Sequence, residues 1–191
     1  MLEIRALTSD IWADLERLFG AHRVTNSCWC MWFIIRVKEF HENGASVNAA
    51  KLRALAENSA HPLGLIAYRD GGPVGWIAAG PRSRYARAIH TPTLKGLDHA
   101  ENDDVWLIPC FFVRPDMRGN GVAQSLLREA VALASAAGAK AVEGFPTPGS
   151  KRVSTDSQVG TEYMFKACGF EAVHRPSSNR VVMRLALSVS N

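Results

Sequence analysis

Val105-Trp106-Leu107-Ile108-Pro109-Cys110-Phe111-Phe112-Val113 is a continuous apolar run, and Arg118-Gly119-Asn120-Gly121-Val122-Ala123 follows it after a short Arg-Pro break. The run has no alternation, which marks a strand buried on both faces. Beyond Gly121, Val122, Leu126, Leu127, Ala130, Leu133, Ala134 and Ala137 recur at helical spacing, and Gly138 stands where a helix stop belongs. Ala139–Phe145 is a second apolar strand. Residues 105–145 therefore read as strand–helix–strand, a unit that is normally parallel. The two glycines allow a tight turn and close approach of a ligand to backbone. The free amides of the helix start and its dipole favour an anion, and Arg118 adds a fork of donors. Phosphate or pyrophosphate is the natural guest.

Upstream, Leu63–Tyr68 and Val74–Ala79 flank Arg69-Asp70-Gly71-Gly72-Pro73, a hairpin signal of Asp-Gly type. Met1–Leu7 starts as a short apolar-alternating stretch. Ile11, Leu15, Leu18 and Phe19 mark a first helix, and Ser46–Asn58 a second. Cys28–Ile35 is densely aromatic without a period. The polar stretch from Pro81 to Asp104 reads as a long loop or short irregular helices. Downstream, Pro146–Ser157 is a loop, Val159–Cys168 a helix, and the chain closes on strands around Phe170–His174 and Arg180–Leu187. The expected class is α/β with a mixed sheet of about seven strands and helices on both faces.

The 191 residues suit one domain, taken as 1–191. A hydrophobic fraction of 47% and a charged fraction of 21% exclude fibrous, collagen-like and wholly disordered classes. The net charge of +4 favours an anionic ligand without arguing for nucleic acid. No apolar run approaches the ~20 residues of a spanning helix, and the first residues lack the layout of a signal peptide, so a cytoplasmic protein is expected. Four cysteines are too few for a disulfide scaffold.

With both glycines set between strand and helix, Cys110–Ala123 resembles the coenzyme A loop and the strand-to-helix core of the GNAT-superfamily N-acetyltransferases. Met164-Phe165-Lys166-Ala167-Cys168-Gly169-Phe170 is similar to that family's late helix and Gly-Phe turn. The resemblance covers residues 105–170 well and the rest loosely. It implies a GNAT-like fold with a splayed central parallel pair of strands, and acetyl-CoA as co-substrate with no metal. Main-chain groups of Phe111 and Val113 would pair with the pantetheine arm, and an amide near Phe111 or Phe112 would polarise the thioester carbonyl. Arg118, Gly119, Asn120, Gly121, Val122 and Ala123 would hold the pyrophosphate, and Gln158 would also face the cofactor. A small-molecule amine would attack directly, without an acyl-enzyme. An acyl-CoA-binding sensor or partner with little transfer is the alternative, and a second copy of the chain is the one protein partner kept open.

The sequence departs from the family's pattern in the late helix. Counting back from Gly169-Phe170, the position where many members carry a tyrosine as general acid is Phe165, which has no proton to give. Tyr163 sits about 200° round the helix from it. For the base, Glu143 in the second parallel strand and Asp104 just ahead of Val105 are the candidates, with Asp103, His90 and His99 behind them. The segment between the first two helices commonly lines the acceptor pocket in this family, which points to Cys28, Trp29 and Trp32, with Tyr85 from the long loop. Cys28 and Cys30 as a zinc site would need two further ligands that no nearby pair supplies. Cys110 and Cys168 read as buried small hydrophobes. Lys151, Arg152, Arg82, Arg84 and Arg87 are further basic residues that could meet coenzyme A phosphates. A dinucleotide reading of Gly119-x-Gly121 lacks the third glycine of that fingerprint.

Overall fold

A computed structural model describes residues 1–91, 98–150 and 158–188. Seven strands form one sheet in the order β1-β2-β3-β4-β5-β7-β6. They are β1 Leu2–Ala6, β2 Gly64–Arg69, β3 Gly72–Pro81, β4 Val105–Val113, β5 Ala141–Gly144, β6 Glu171–Ser177 and β7 Arg180–Ala186. Every neighbouring pair is antiparallel except β4 and β5, which run parallel. This is the mixed, GNAT-like sheet anticipated above. In the β2–β3 hairpin, Asp70 and Gly71 both take positive φ (52° and 77°), the conformation an Asp-Gly turn of this type demands.

The period of two along β2 and β3 sends alternate side chains to opposite layers. Leu65, Ala67, Ile77 and Ala79 pack with Leu126, Leu127, Ala130 and Ala134 of α6 (Val122–Ala136). Ile66, Tyr68, Trp76 and Ala78 pack on the other side with Trp12, Leu15, Leu18 and Phe19 of α1 (Trp12–Gly20) and Leu52 of α4 (Ala45–Asn58). Between α1 and α4 lie α2 (Arg23–Cys28) and α3 (Val37–Glu42). The aromatic segment 28–35 has no period because it is no regular element. Trp29 and Cys30 are left-handed (φ 46° and 54°), and a single 3₁₀ turn follows at Met31–Phe33.

The 81–104 stretch holds a short helix, α5 (Ala86–Ile89), and two 3₁₀ turns at Arg82–Arg84 and His99–Glu101. Helix α7 runs only over Glu162–Lys166 rather than the ten residues of the expected helix, with Thr161 Oγ1 accepting from Met164 N as its cap. Lys151 and Arg152 lie outside the described residues.

Candidate functional site

The parallel pair opens in the middle of the sheet. β4 and β5 are in register from Val105–Ala141 to Ile108–Gly144, and there the pairing ends although β4 continues to Val113. Two local features cause the parting. Pro109 has no N–H to offer a ladder, and β4 carries an extra residue against β3 between the Gly80–Leu107 and Ala78–Cys110 pairs. Beyond the bulge the period resumes. Arg114 N donates to Val74 O, so Phe112 shares that side and turns its main chain toward β3. The main-chain groups of Phe111 and Val113 point the other way, into a cavity of about 490 Å³.

The far wall of the cavity comes from α2 and the turn after it, through Thr25, Ser27, Cys28, Cys30, Trp32 and Phe33. Gln158, Gly160, Thr161 and Met164 close a third side. At one end the lining passes to Pro115, Arg118 and Ala123, which flank the Gly119–Val122 turn; the turn residues themselves do not line the cavity. Gly119 and Gly121 have φ of +80° and +75° with open space where a Cβ would stand, so torsion, not crowding, selects glycine. Gly121 is the N-cap of α6, and the first intrahelical bond is Ser125 N to Gly121 O. The amides of Val122, Ala123 and Gln124 therefore have no partner in the helix, and no side chain caps them. Arg118 spends Nε on Val113 O (3.1 Å) and keeps its terminal nitrogens for other contacts. Asn120 Nδ2 braces the loop through the carbonyls of Met117 and Arg118, both at 3.3 Å. The charged side chains lining the cavity are cationic or imidazole (His22, Arg23, Arg118), and no carboxylate borders it among the described residues.

Two thiols that line the cavity, Cys28 and Cys110, are held away from the thiolate form. Burial first, then the neighbouring Cys30, pushes the Cys28 thiol up to about 12. The Cys110 thiol is raised well above its ordinary value by its hydrogen bond with Cys30 and by burial. Both stay protonated near neutrality, so neither is an acyl-accepting nucleophile. Trp76 Nε1 donates to Cys30 Sγ at 3.2 Å, which ties this turn to the sheet. Among the described residues no group of three or more metal-ligating side chains could hold an ion.

Several expected site residues lie elsewhere. Glu143 does not open toward the cavity: it is fully buried, with Oε2 at 2.7 Å from Arg82 Nη1 and Oε1 at 2.9 Å from Arg184 Nη1. It sits in the paired part of β5, where both faces are covered, so its charge is met by cations rather than by substrate. Asp104 is at the opposite end of β4 from the cavity and pairs with Lys140 Nζ at 2.6 Å on the surface. Asp103 and His90 do not border the cavity either. Tyr85 is enclosed with Leu107, Phe145 and Val182, and burial raises its phenol above the ordinary range. Trp29 turns inward, stacked with Trp12 and edge-on to Phe19, leaving Cys28 and Trp32, both half-buried, as the expected members of that motif that line the cavity. Arg82 and Arg84 are used internally, Arg84 on the carbonyls of His61, Pro62 and Ala79.

Phe165 is fully buried between Phe111 and Phe170, with ring centroids at 5.9 and 4.9 Å, and Tyr163 points to solvent. Neither supplies a phenol to the cavity. Sequence reasoning missed Arg23, Thr25, Ser27, Phe40, Thr161 and Met164 as cavity residues. Six-residue helices such as α2 carry too few turns for a period to show, and Thr161 could have been found from its place as a cap before α7.

A model of the acetyltransferase (GNAT) family matches residues 22–170. The fold is similar to that of yncA from Salmonella typhimurium, solved with its cofactor acetyl-CoA, at 13% identity and a TM-score of 0.61, covering 98% of this chain and 94% of that one. It is also similar to an acetyltransferase of the GNAT family from Streptococcus pneumoniae (16% identity, TM-score 0.56, 98% of this chain and 100% of that one). A third similar structure is a GNAT family acetyltransferase from Brucella melitensis in complex with acetyl-CoA (18%, 0.52, 98% and 89%). No curated protein matches the sequence.

Proposed function

Because this chain belongs to the acetyltransferase (GNAT) family, we propose that it binds acetyl-CoA in the cavity beside β4 and transfers the acetyl group to the amine of a small molecule. The observation that carries the reading is the unpaired edge of β4 running into the glycine loop at the start of α6. An extended pantetheine arm would pair with Phe111 and Val113 as an added strand. Its pyrophosphate would meet the amides of Val122 and Ala123, the backbone of Gly119, Asn120 and Gly121, and Arg118. Acetyl-CoA in two similar structures supports the choice of donor.

In this mechanism the acceptor enters from the α2 side, against Cys28 and Trp32, with Gln158 between acceptor and cofactor. The amine nitrogen attacks the thioester carbon. The oxyanion that forms is held by the Phe111 amide, because the Phe112 amide belongs to β3. The C–S bond then breaks and the acetylated nitrogen gives up its proton. The cavity offers no carboxylate among the described residues, so the amine arrives as the free base, having lost its first proton to water. With Phe165 in place of a phenol, the leaving thiolate takes its proton from solvent. That same substitution favours a second reading, an acyl-CoA-binding protein with little transfer.

Calorimetric titration with acetyl-CoA and with NADH, on the wild type and Gly121→Glu, tests the donor. Binding of acetyl-CoA alone, lost in the variant, is expected. Folded protein that ignores acetyl-CoA removes the proposal, and binding without acetylation of any amine in a broad panel favours the second reading.

A further inference from the structure

A side pocket of about 150 Å³ adjoins the main cavity and shares Trp32, Phe33 and Gln158 with it. Its walls are apolar where Phe33 meets Phe145 at 5.4 Å between ring centroids. Its polar feature is Arg87, from α5. The guanidinium lies flat over the Trp32 ring, with Cζ 3.6 Å from the centroid, and Nη1 donates to Trp32 O. Stacking of this kind fixes the plane of the fork, and beyond the Nη1 bond Arg87 makes no other hydrogen bond among the described residues. No carboxylate lies within ion-pair distance of Arg87 among the described residues. Burial lowers its pKa, the sign of a cation held partly out of water without an anion, and its field reaches the Cys28 thiol in the main cavity. Gln158, at the junction, has an amide that makes no hydrogen bond among the described residues. Arg180 completes the rim.

A partly desolvated guanidinium with no counter-ion among the described residues is costly unless a ligand supplies one. We infer that the acceptor is an aminocarboxylate whose carboxylate docks on Arg87 in the side pocket while its amine reaches the thioester in the main cavity. This rests on the transfer reading above. A planar carboxylate matches the edge of a stacked guanidinium through two parallel hydrogen bonds, and Gln158, which lines both pockets, carries an amide that can donate a third. The pocket is small, and a single fork suits one carboxylate better than a more highly charged group. The aromatic walls favour an apolar side chain on the same molecule. A plain alkylamine or a polycation would leave Arg87 unanswered.

The test measures binding of transfer products, so it needs no turnover. N-acetylglycine, N-acetylleucine, N-acetylphenylalanine and N-acetyltryptophan, each beside its uncharged amide, are titrated calorimetrically into protein loaded with coenzyme A, for the wild type, Arg87→Met and Arg87→Lys. The wild type should bind at least one carboxylate about tenfold or more tighter than its amide. That ratio should collapse to within about twofold in Arg87→Met and be intermediate in Arg87→Lys, which keeps the charge and loses the fork. Equal affinities throughout the wild-type series, no binding of any carboxylate, or a preference that survives Arg87→Met would overturn the inference. If Arg87→Met fails to fold, Arg87→Gln carries the same comparison, and an unaltered carboxylate preference in it overturns the inference. Loading with coenzyme A reports separately on the transfer reading: coenzyme A bound without discrimination sinks only the aminocarboxylate, and coenzyme A not bound sinks the reading beneath it.

Discussion

Replacing Glu143 by Gln separates a structural carboxylate from a catalytic one. Arg82 and Glu143 are 1% and 0% exposed, and among the described residues their 2.7 Å contact is the only one Arg82 makes with a carboxylate. Arg82 would keep Asn102 Oδ1 at 2.7 Å and the Asp98 carbonyl, whereas Arg184 would keep both oxygens of Glu101 at 2.8 and 3.0 Å. The loss therefore falls on one fully buried cation. Breaking a buried pair from one side costs about 3–5 kcal/mol, and an amide of the same shape, still able to accept one hydrogen bond, belongs at the low end, about 3 kcal/mol. For a chain of this length that is a fall in Tm of about 6–12 °C. Thermal melts followed by circular dichroism measure it, alongside acetyl-CoA affinity and kcat for the best amine, assayed well below the melting range. Both functional values should stay within about twofold of wild type. A Tm within 2 °C of wild type together with a tenfold or larger loss of kcat would refute the reasoning and return Glu143 to the chemistry.

Gly144→Ala would bring a Cβ to 2.4 Å from Cε1 of the buried Phe165 ring, which Phe111 and Phe170 hold from both sides. Urea unfolding should show a loss of about 1–3 kcal/mol, partly recovered by adding Phe165→Leu. Glu162 is held at about 2, below its ordinary 4.5, by Arg175, then Lys166 and the Gly149 amide. Its stabilisation is complete above about pH 4.5 and is lost as pH falls toward 2, so the wild-type Tm should drop more steeply from pH 5 to pH 2 than that of Glu162→Gln. With its thiol near 12, Cys28 should react with iodoacetamide at pH 8 at least about 100-fold more slowly in native protein than in urea, and equal rates would contradict the burial argument.

The open edge of β4 and the glycine loop, where we propose the donor binds, are legible along the chain because they are built locally. A strand too apolar to have a wet face, a proline within it, two glycines and an amphipathic helix follow one another within 32 residues, and each acts on its immediate neighbours. The hairpin was equally plain, since Asp70-Gly71 specifies its own backbone. The missing phenol at Phe165 could also be read by counting from a turn. The far wall of the cavity was only partly legible. Cys28 and Trp32 reach the cavity whereas Trp29 does not, because two consecutive left-handed residues rotate the segment in a way no periodicity announces.

Glu143 shows the same limit for charge. An acid in an apolar strand announces that something must answer it, and the sequence by itself determined that much. Whether the answer is a substrate or an arginine depends on what long-range packing brings near. Here Arg82 is 61 residues away and Arg184 is 41. Arg87, one of several scattered basic residues in the chain, acquires meaning only from the ring of Trp32, 55 residues before it. Local torsion and periodicity determined the strands and the loop, and the resemblance of Cys110–Ala123 pointed to the family that its model match bears out. The partners of buried charges, and with them the shape and sign of the cavity, were decided by tertiary contact alone.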